Sequence, residues 1–395
     1  MLAIGAELPS DFTLIIPTHN RHALFSRLVH YYSKRLPSMH LLVLDSSDPS
    51  ITEKNSKVVS PYGNCVQHVI FPITEQPFSK FARGVSLVKT PYVSFCGDDD
   101  IVFPDGLAES VSFLREHPDY VCAHGLYLNF REEGNNVHVK REYAGPSIEA
   151  SHPGARIFQL FQNYESLFYA VFRTNALNEI YSGMADQTTS HYKELFQSVA
   201  ALIKGKTKRF PKIYAARRDG PPVEAGREKW HTHYWFAQSP KEVLESYRTY
   251  CSALWHFYEA KSPAPRLDKE AFCKMMDLAH AVHFSAGCPP EYFYSVLQSH
   301  WPSDKFQKSI NVDLFDQLKS PKQRDGFSVD RLIARIRRAV HIIRSAPGFA
   351  RLNSAVRKHC RTPWRCRPHP SLWWLTTSSH FSETYLELCF YLDQA

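Results

Sequence analysis

Four short apolar runs, separated by segments with helical periodicity, constrain the fold of this chain most. The runs are rich in Ile, Leu, Val and Phe and span residues 12–16, 40–44, 66–71 and 91–95. Runs of this length are typical of parallel strands that are buried on both faces. Residues 21–34 and 78–88 lie between the runs and carry apolar side chains at helical spacing. This alternation predicts an α/β fold, with a mostly parallel sheet flanked by helices.

The pattern changes near residue 240, where helical periodicity becomes dominant. Further strands are predicted before this point, at residues 120–130, 167–172 and 212–216. Helices are predicted after it, at residues 240–260, 268–286, 290–300, 305–318 and 329–345. We therefore predict an α/β domain over residues 1–230 and an α-helical C-terminal extension over residues 231–395.

Positive charge is concentrated in one segment of the 395-residue chain, whose formal net charge is +8. Residues 331–367 contain eleven Lys and Arg and no acidic residue, so the remainder is close to neutral. A local excess of this kind makes a nucleic-acid-binding protein an unlikely class. Residues 331–344 have the pattern of a basic amphipathic helix, which suits an anionic membrane surface. Packing of its apolar stripe on the protein itself is the alternative.

Composition also bears on the expected compartment. We find no run of about 18 apolar residues that could cross a membrane and no signal-peptide pattern at the start. The nine cysteines are expected to be reduced thiols. These features predict a cytoplasmic protein, with peripheral attachment at the inner face of the membrane as a further expectation.

Three adjacent carboxylates, Asp98, Asp99 and Asp100, follow the run at 91–95 and precede a helix that opens at Pro104. Adjacent negative charges repel one another unless they are solvated or a cation lies among them. Mg²⁺ and Mn²⁺ bind one or two carboxylates together with phosphate oxygens. A metal site is therefore predicted here, with a solvated acidic turn as the alternative.

Three motifs at strand ends carry a resemblance to a known family. Residues 13–21 read TLIIPTHNR, Asp45 follows the second run, and the carboxylates follow the fourth. In order and spacing these motifs resemble the GT-A glycosyltransferases of family two. Alone, residues 18–21 favour a turn after Pro17 in which Asn20 caps the next helix. The resemblance covers about residues 10–216 and implies a GT-A, Rossmann-like fold that uses a nucleotide-sugar donor, with a UDP-sugar the leading expectation.

The family's donor contacts are carried over position by position. The resemblance implies that Pro17, Thr18 and Arg21 lie beside the nucleotide. It implies that Asp45 meets the base or ribose, and that Asp98 holds the ribose.

The family's metal contacts are carried over in the same way. Asp99, with Asp100, would bind Mn²⁺ or Mg²⁺ bridging the diphosphate. Many members have Asp where this chain has Gly97, so the choice of ligand among the three carboxylates stays open.

A catalytic base is needed as well, since inverting transfer requires a carboxylate to accept the proton of the acceptor hydroxyl. The resemblance places it at Glu194, in the first turn of a helix, with Asp186 as the second candidate. The family's Glu-Asp pair is replaced by Lys193-Glu194. Arg217 is a candidate for neutralising the diphosphate.

His231 and His233 could complete a metal site, or could belong to an aromatic seam between the two parts of the chain. The expected acceptor is a glycan or a lipid-linked glycan. The rival class is a non-catalytic nucleotide-sugar or glycan-binding protein of the same fold, attached to membrane through its basic segment. A sugar nucleotidyltransferase is disfavoured, because residues 17–21 contain no glycine for a phosphate-binding loop.

Overall fold

The structure is a computed structural model that describes residues 10–133, 136–141, 143–185, 189–219, 240–262, 266–287 and 367–368. Within these residues ten strands form one mixed sheet. The strands are β1 (Phe12–Thr18), β2 (His40–Asp45), β3 (Val66–Ile70), β4 (Tyr92–Phe95), β5 (Ile101–Val102), β6 (Tyr120–Glu133), β7 (Asn136–Arg141), β8 (Val171–Arg173), β9 (Lys206–Arg218) and β10 (Arg367–Pro368).

The strand order across the sheet is β10-β7-β6-β8-β4-β1-β2-β3, and β9 pairs with β6 and β5. β1 runs parallel to its two neighbours β2 and β4, and β2 runs parallel to β3. β8 is antiparallel to both β4 and β6, whereas β9 is parallel to β6. The predicted α/β fold with a mostly parallel sheet is confirmed.

Nine α-helices accompany the sheet in the described part of the chain. They are α1 (His22–Arg35), α2 (Pro49–Val59), α3 (Pro77–Leu87), α4 (Pro104–Glu116), α5 (Pro153–Gln162), α6 (Thr174–Ser182), α7 (Ser190–Lys204), α8 (Pro240–Lys261) and α9 (Lys269–Gly287). The elements that have no counterpart among the predicted ones include α2, β5, β7, α5 and β10.

Two apolar cores cover the two faces of the sheet. In β1, Phe12, Leu14 and Ile16 belong to one core and Ile15 to the other, because successive side chains of a strand point to opposite faces. The first core includes side chains of α1 and α4, and the second includes side chains of α5, α6 and α7. Burial on both faces explains why the strands are continuous apolar runs.

Helices α8 and α9 complete the second core. Tyr250 and Leu254 of α8, and Phe272 and Met276 of α9, are fully buried in the same cluster as the apolar face of α7. The predicted boundary at residue 230 lies outside the described residues, as do the helices predicted beyond residue 288. None of the described helices combines the length and the apolar character that a membrane-crossing segment needs.

Candidate active site

Three loops meet at one edge of the sheet, where β1, β2 and β4 end. Thr18 lies opposite Asp45 in the β1–β2 register, and Ile15 lies opposite Phe95 in the β1–β4 register. Pro17 is the penultimate residue of β1 and pairs with Leu44. The loops that follow these strands therefore begin side by side. This is the edge at which open α/β sheets bind their ligands.

The loop after β1 contacts the carboxylates after β4 directly. Thr18 donates its hydroxyl hydrogen to Oδ2 of Asp98 at 2.7 Å. Nη1 of Arg21 lies 3.3 Å from Oδ1 of Asp98 and 2.8 Å from Oδ2 of Asp99. The structure thus brings together four of the residues that the sequence assigned to the donor and metal sites.

Asn20 turns the chain between β1 and α1. Its φ of 56° lies in the left-handed region, where asparagine is tolerated better than most residues. Its N–H donates to Oγ of Ser47, and its Oδ1 accepts from the N–H of Asp48, both at 2.8 Å. Arg21 occupies the N-cap position of α1, so the reading of Asn20 as the helix cap is wrong. Asn20 instead fastens the loop after β1 to the loop after β2.

Asp45 is fully buried and all its hydrogen-bonding partners are protein groups. Its Oδ1 accepts from the N–H of Ser47 at 2.8 Å, and its Oδ2 accepts from Nδ2 of Asn55 at 2.8 Å and pairs with Nε2 of His68 at 3.1 Å. Burial raises the pKa of Asp45, but the hydrogen bonds from His68, Ser47 and Asn55 outweigh it and bring the pKa well below its usual range. This geometry argues against direct contact of the carboxylate with a base or ribose.

The three adjacent carboxylates have different surroundings. Asp98 is buried, and Thr18 and Arg21 engage both of its oxygens. Asp100 is buried, with Oδ2 bonded to the hydroxyl of Tyr169 and Oδ1 accepting from the N–H of Arg218 at 2.7 Å. The side chain of Asp99 is 25% exposed, and its Oδ1 accepts no hydrogen bond from the described residues.

Burial and mutual repulsion raise two of the carboxylate pKa values. The pKa of Asp98 is raised to about 6 by burial and by Asp99, against the opposing effects of Thr18 and Arg21. The pKa of Asp100 is raised to about 7 by burial and by Asp99, against the effects of Arg217 and Tyr169. The motif therefore concentrates negative charge in a place that favours a bound cation.

The absence of a side chain at Gly97 has a steric reason. A Cβ atom at this position would lie 3.0 Å from Oδ2 of Asp100, 3.2 Å from Oδ1 of Asp99 and 3.3 Å from the hydroxyl of Tyr169. A side chain here would crowd both carboxylates. Another carboxylate, as in many members of the resembling family, would need a different local packing.

Arg217 reaches the same edge from β9. Its Nη1 donates to the hydroxyl of Tyr143 at 3.2 Å, and its guanidinium lies 5.6 Å and 5.7 Å from the ring centroids of Tyr143 and Tyr169. Its charge also attracts Asp100. The guanidinium of Arg217, which the sequence indicated as a candidate for neutralising the diphosphate, therefore lies beside the carboxylate motif, between two tyrosine rings.

Two residues of this site were not predicted. Lys80 of α3 is buried and donates to the last residue of β1 and to the first residue after β2. Tyr169, just before β8, bonds Asp100. For Lys80 a signal was available, since it lies one helical turn before Gly84, on the helix face that approaches β2. No comparable signal marks Tyr169.

Glu194 lies in α7 with its side chain partly buried. Its Oε1 accepts from the hydroxyl of Tyr164 at 3.2 Å, and its Oε2 has no hydrogen-bond partner among the described residues. Burial, and after it the charge of Glu194, raise the pKa of Tyr164, and Tyr143 lies close enough to contribute. Tyr143 in turn accepts from Arg217, so these groups are neighbours. Asp186, His231 and His233 lie outside the described residues, and their predicted roles stay predictions.

The chemistry of the motif fits a hard divalent cation held chiefly by Asp99. Carboxylate oxygen is a ligand that Mg²⁺ and Mn²⁺ prefer, and Oδ1 of Asp99 is available. In the part of the chain that the structure describes, no group of three or more His, Cys, Asp or Glu side chains could hold an ion unaided. Further ligands would therefore come from diphosphate oxygens. The engagement of both Asp100 oxygens argues against the predicted metal contact of that residue.

A comparison with protein-family models agrees with this architecture. Residues 13–180 match the family model described as glycosyl transferase family 2. No curated protein sequence matches the chain significantly.

Solved structures that align with the chain include three of S. aureus TarS. TarS 1–349 in complex with UDP-GlcNAc is 15% identical, with 73% of this chain and 90% of that chain covered and a TM-score of 0.43. TarS 1–349 in complex with UDP is 16% identical over the same shares, with a TM-score of 0.42. TarS itself is 16% identical over 73% of this chain and 55% of that chain, with a TM-score of 0.40.

The family match includes β1, β2, β4 and the carboxylate motif, which are the elements that carry the resemblance in the sequence. The resemblance to family 2 glycosyltransferases that the motifs predict is therefore confirmed over residues 13–180.

Proposed function

We propose that this glycosyltransferase takes its sugar from a UDP-sugar and transfers it to a hydroxyl of a glycan or lipid-linked glycan. The observation that carries the proposal is the contact of Thr18 and Arg21, after β1, with Asp98 and Asp99, after β4. It places a hydroxyl, a guanidinium and two carboxylates at the ligand-binding edge of the sheet. These groups suit a ligand that carries both sugar hydroxyls and a charged diphosphate.

The donor contacts divide between direct and supporting roles. Asp98 accepts from the ribose hydroxyls through the acceptor sites that Thr18 and Arg21 leave open, since a carboxylate offers about four of them. Arg21 and Arg217 balance the charge of the diphosphate. Pro17 and Thr18 line the nucleotide. Asp45 has a supporting role and does not contact the donor, because its buried carboxylate holds Ser47, Asn55 and His68 in place.

Asp99 is the residue that would hold Mn²⁺ or Mg²⁺. Such an ion, when bound, stabilises the negative charge that builds on the departing diphosphate. Within the protein, Arg21 donates to Oδ2 of Asp99, so the guanidinium compensates the negative charge of this carboxylate. Asp100 instead fixes Tyr169 and the end of β9 beside the motif.

Glu194 acts as the base in a single displacement that inverts the anomeric carbon. The hydrogen bond from Tyr164 orients one carboxylate oxygen, which leaves the other to accept the proton of the acceptor hydroxyl. Asp186 is the second candidate for this role.

Thermal unfolding with nucleoside diphosphates tests the donor. UDP, GDP, CDP and dTDP are each added with and without Mn²⁺, since a ligand that binds the folded state raises the unfolding temperature. We expect the largest increase with UDP and Mn²⁺ together. Equal increases for all four nucleotides would contradict the choice of uracil, and equal increases without Mn²⁺ would contradict the role of the ion.

NMR of the anomeric proton separates an enzyme from a binding protein of the same fold. A UDP-sugar is incubated with the protein and Mn²⁺, first alone and then with glycan acceptors. Slow release of UDP without acceptor, faster release with one and an inverted anomeric signal in the product would support the proposal. Donor binding without any UDP release would favour the non-catalytic alternative.

A further inference from the structure

Lys80 is a buried cation beneath the candidate donor site. It lies on α3 with 4% of its surface exposed, although lysine is almost never fully buried unless it is paired. Its Nζ donates to the carbonyl oxygen of Thr18 at 3.0 Å and to Oγ of Ser46 at 2.8 Å. One ammonium group thus joins the last residue of β1 to the first residue after β2.

Two carboxylates of the site compensate the charge of Lys80. Burial lowers the pKa of Lys80, while attraction to Asp45 and Asp98 acts in the opposite direction. Asp45 and Asp98 are themselves buried, so neither charge is well solvated. A buried charge is tolerated when opposite charges and hydrogen bonds compensate the loss of water. Lys80 therefore belongs electrostatically to the loops after β2 and β4.

A short chain of contacts leads from Lys80 to Asp98 through Thr18. The carbonyl of Thr18 accepts from Lys80 and, at 3.2 Å, from the N–H of Ser46. The hydroxyl of the same threonine donates to Asp98 at 2.7 Å. The position of Thr18 is thus set on one side by Lys80, and Thr18 in turn orients Asp98.

Packing alone gives no reason for a cation at this position. The helix already approaches β2 closely, because a Cβ atom on Gly84 would overlap the side chain of Leu44. An apolar side chain at position 80 would fill the same space without the cost of removing an ammonium group from water. What an apolar residue could not do is hold the two strand ends and compensate Asp45 and Asp98.

We propose that Lys80 is a positioning residue of the donor site, which fixes Thr18 and Ser46 and thereby holds Asp98 in the orientation that binds the nucleoside diphosphate. This role rests on the proposed function, since it concerns the same donor site. It extends the site to α3, an element to which the sequence assigned no part in binding.

The test compares Lys80→Met with Lys89→Met by calorimetry of UDP in the presence of Mn²⁺. Lys89 is the matched control, because it is exposed and lies just beyond the end of α3. We expect Lys80→Met to weaken UDP binding by about tenfold or more, since hydrogen bonds from charged groups are among the stronger ones. Lys89→Met should stay within about twofold of the unchanged protein. Donor KM should rise more than kcat falls, because the lost contacts serve ground-state binding.

A double-mutant cycle with Thr18→Val separates positioning from general destabilisation. If Lys80 acts through Thr18, the two substitutions together weaken UDP binding by less than the product of their separate effects. Fully multiplicative effects, or unchanged UDP binding in Lys80→Met, would overturn the role of Lys80. Circular dichroism checks that each variant is folded, and Lys80→Gln replaces the methionine variant if that one is not. Failure of the unchanged protein to bind UDP would instead overturn the proposed donor site, and the role of Lys80 with it.

Discussion

At the scale of single residues, Asp98, Asp99 and Asp100 are consecutive in sequence but have separate tasks in the structure. Asp98 and Asp100 are buried and each of their oxygens accepts a hydrogen bond from the protein, whereas Oδ1 of Asp99 accepts none from the described residues. Which carboxylate oxygen stays available to an ion therefore depends on hydrogen-bond partners from β1, from the segment just before β8 and from β9. The order of the three residues along the chain does not reveal these partners.

Asp99→Asn should remove the ion but keep the fold. The amide has nearly the same shape but no charge, so we expect Mn²⁺ binding in the presence of UDP to be largely lost. Turnover should fall by about 100-fold, because a metal ion contributes several kcal/mol to stabilising the departing charge. Mn²⁺ electron paramagnetic resonance and steady-state kinetics measure the two effects. Asp105→Asn, at an exposed carboxylate in α4, is the control. Normal turnover of Asp99→Asn in EDTA would refute the assignment.

Glu194→Gln should impair chemistry without impairing donor binding. The amide keeps the contact with Tyr164 but cannot accept the acceptor proton, so turnover should fall by about 100-fold or more. UDP affinity should stay within about twofold. Glu53→Gln, at an exposed residue of α2, controls for the loss of one negative charge. Full activity in Glu194→Gln combined with loss of activity in Asp186→Asn would move the base to Asp186.

The sequence predicted the residues that depend on strand order and not those that depend on packing. Thr18, Arg21 and Asp98 could be expected to meet, because adjacent parallel strands end at one edge and the motifs mark those ends. The complete burial of Asp45 could not, since it depends on Asn55 and His68 from elements beside it.

At the scale of elements, the pairing of β6 with β9 connects the carboxylate motif to Arg217. The two strands run parallel along most of their length, with irregular register around His124 and Leu126. Gly125 lies at this irregularity, where a Cβ atom would overlap the carbonyl oxygen of Lys212 and lie 2.8 Å from Cβ of Tyr214. The backbones approach so closely that only glycine fits.

Gly125→Ala should destabilise the protein by about 3 kcal/mol or more, because a backbone carbonyl cannot move aside as a side chain can. Gly84→Ala is the comparison, since the atoms nearest to the added methyl there belong to the side chain of Leu44. We expect the smaller loss for Gly84→Ala, and we expect Leu44→Val to recover part of it. Urea denaturation gives both free energies of unfolding, and a greater loss at Gly84 would contradict the argument.

Polar elements were not predictable from hydropathy, whereas the apolar stripe of α5, with Ile157, Leu160 and Phe161, was present but missed. α2 buries only Thr52, Asn55 and Val59, so no helical stripe of apolar residues marks it. β9 was predicted over residues 212–216 but extends from Lys206 to Arg218, because its polar first half pairs with β6. Backbone pairing of this kind leaves no trace in hydropathy.

At the scale of the whole molecule, the basic segment at residues 331–367 raises the question of what surface the protein contacts. Except for Arg367 in β10, the segment lies outside the described residues, so its role stays a prediction drawn from charge. If it binds anionic membranes, liposomes that contain phosphatidylserine should retain the protein at low salt. High salt should release it, because exposed charges are screened within about 10 Å at 0.1 M ionic strength.

Charge neutralisation within the segment tests this attachment. Replacement of Arg335, Arg338 and Arg344 by glutamine should weaken liposome binding by about tenfold or more, since each basic residue near such a surface contributes about 1 kcal/mol. Replacement of the exposed Lys54, Lys57 and Lys89 removes the same charge from the α/β part and should change binding little. Equal losses in the two triple variants would point to net charge alone.

Stability as a function of pH should reveal two kinds of buried group that act in opposite directions. The pKa of Asp100 is raised from 3.8 to about 7, so between these values the folded protein binds more protons than the unfolded chain. This carboxylate therefore makes the protein less stable as pH rises through that window. His280 of α9 is buried, and its pKa is lowered from 6.5 to about 3, chiefly by burial. The stability that neutral His280 contributes to the folded protein is therefore fully present above pH 6.5 and is lost as pH falls towards 3.

Two variants separate these contributions when the free energy of unfolding is measured in EDTA from pH 4.5 to pH 8. Relative to the unchanged protein, Asp100→Asn should gain stability as pH rises, by at least about 1 kcal/mol, because one pKa unit corresponds to about 1.4 kcal/mol. His280→Gln should show the opposite slope and gain relative stability as pH falls, because glutamine has no proton to take up. Parallel curves for Asp100→Asn and the unchanged protein would mean that Asp100 titrates near its ordinary pKa. In that case burial beside Tyr169 and Arg218 would not control the protonation of Asp100.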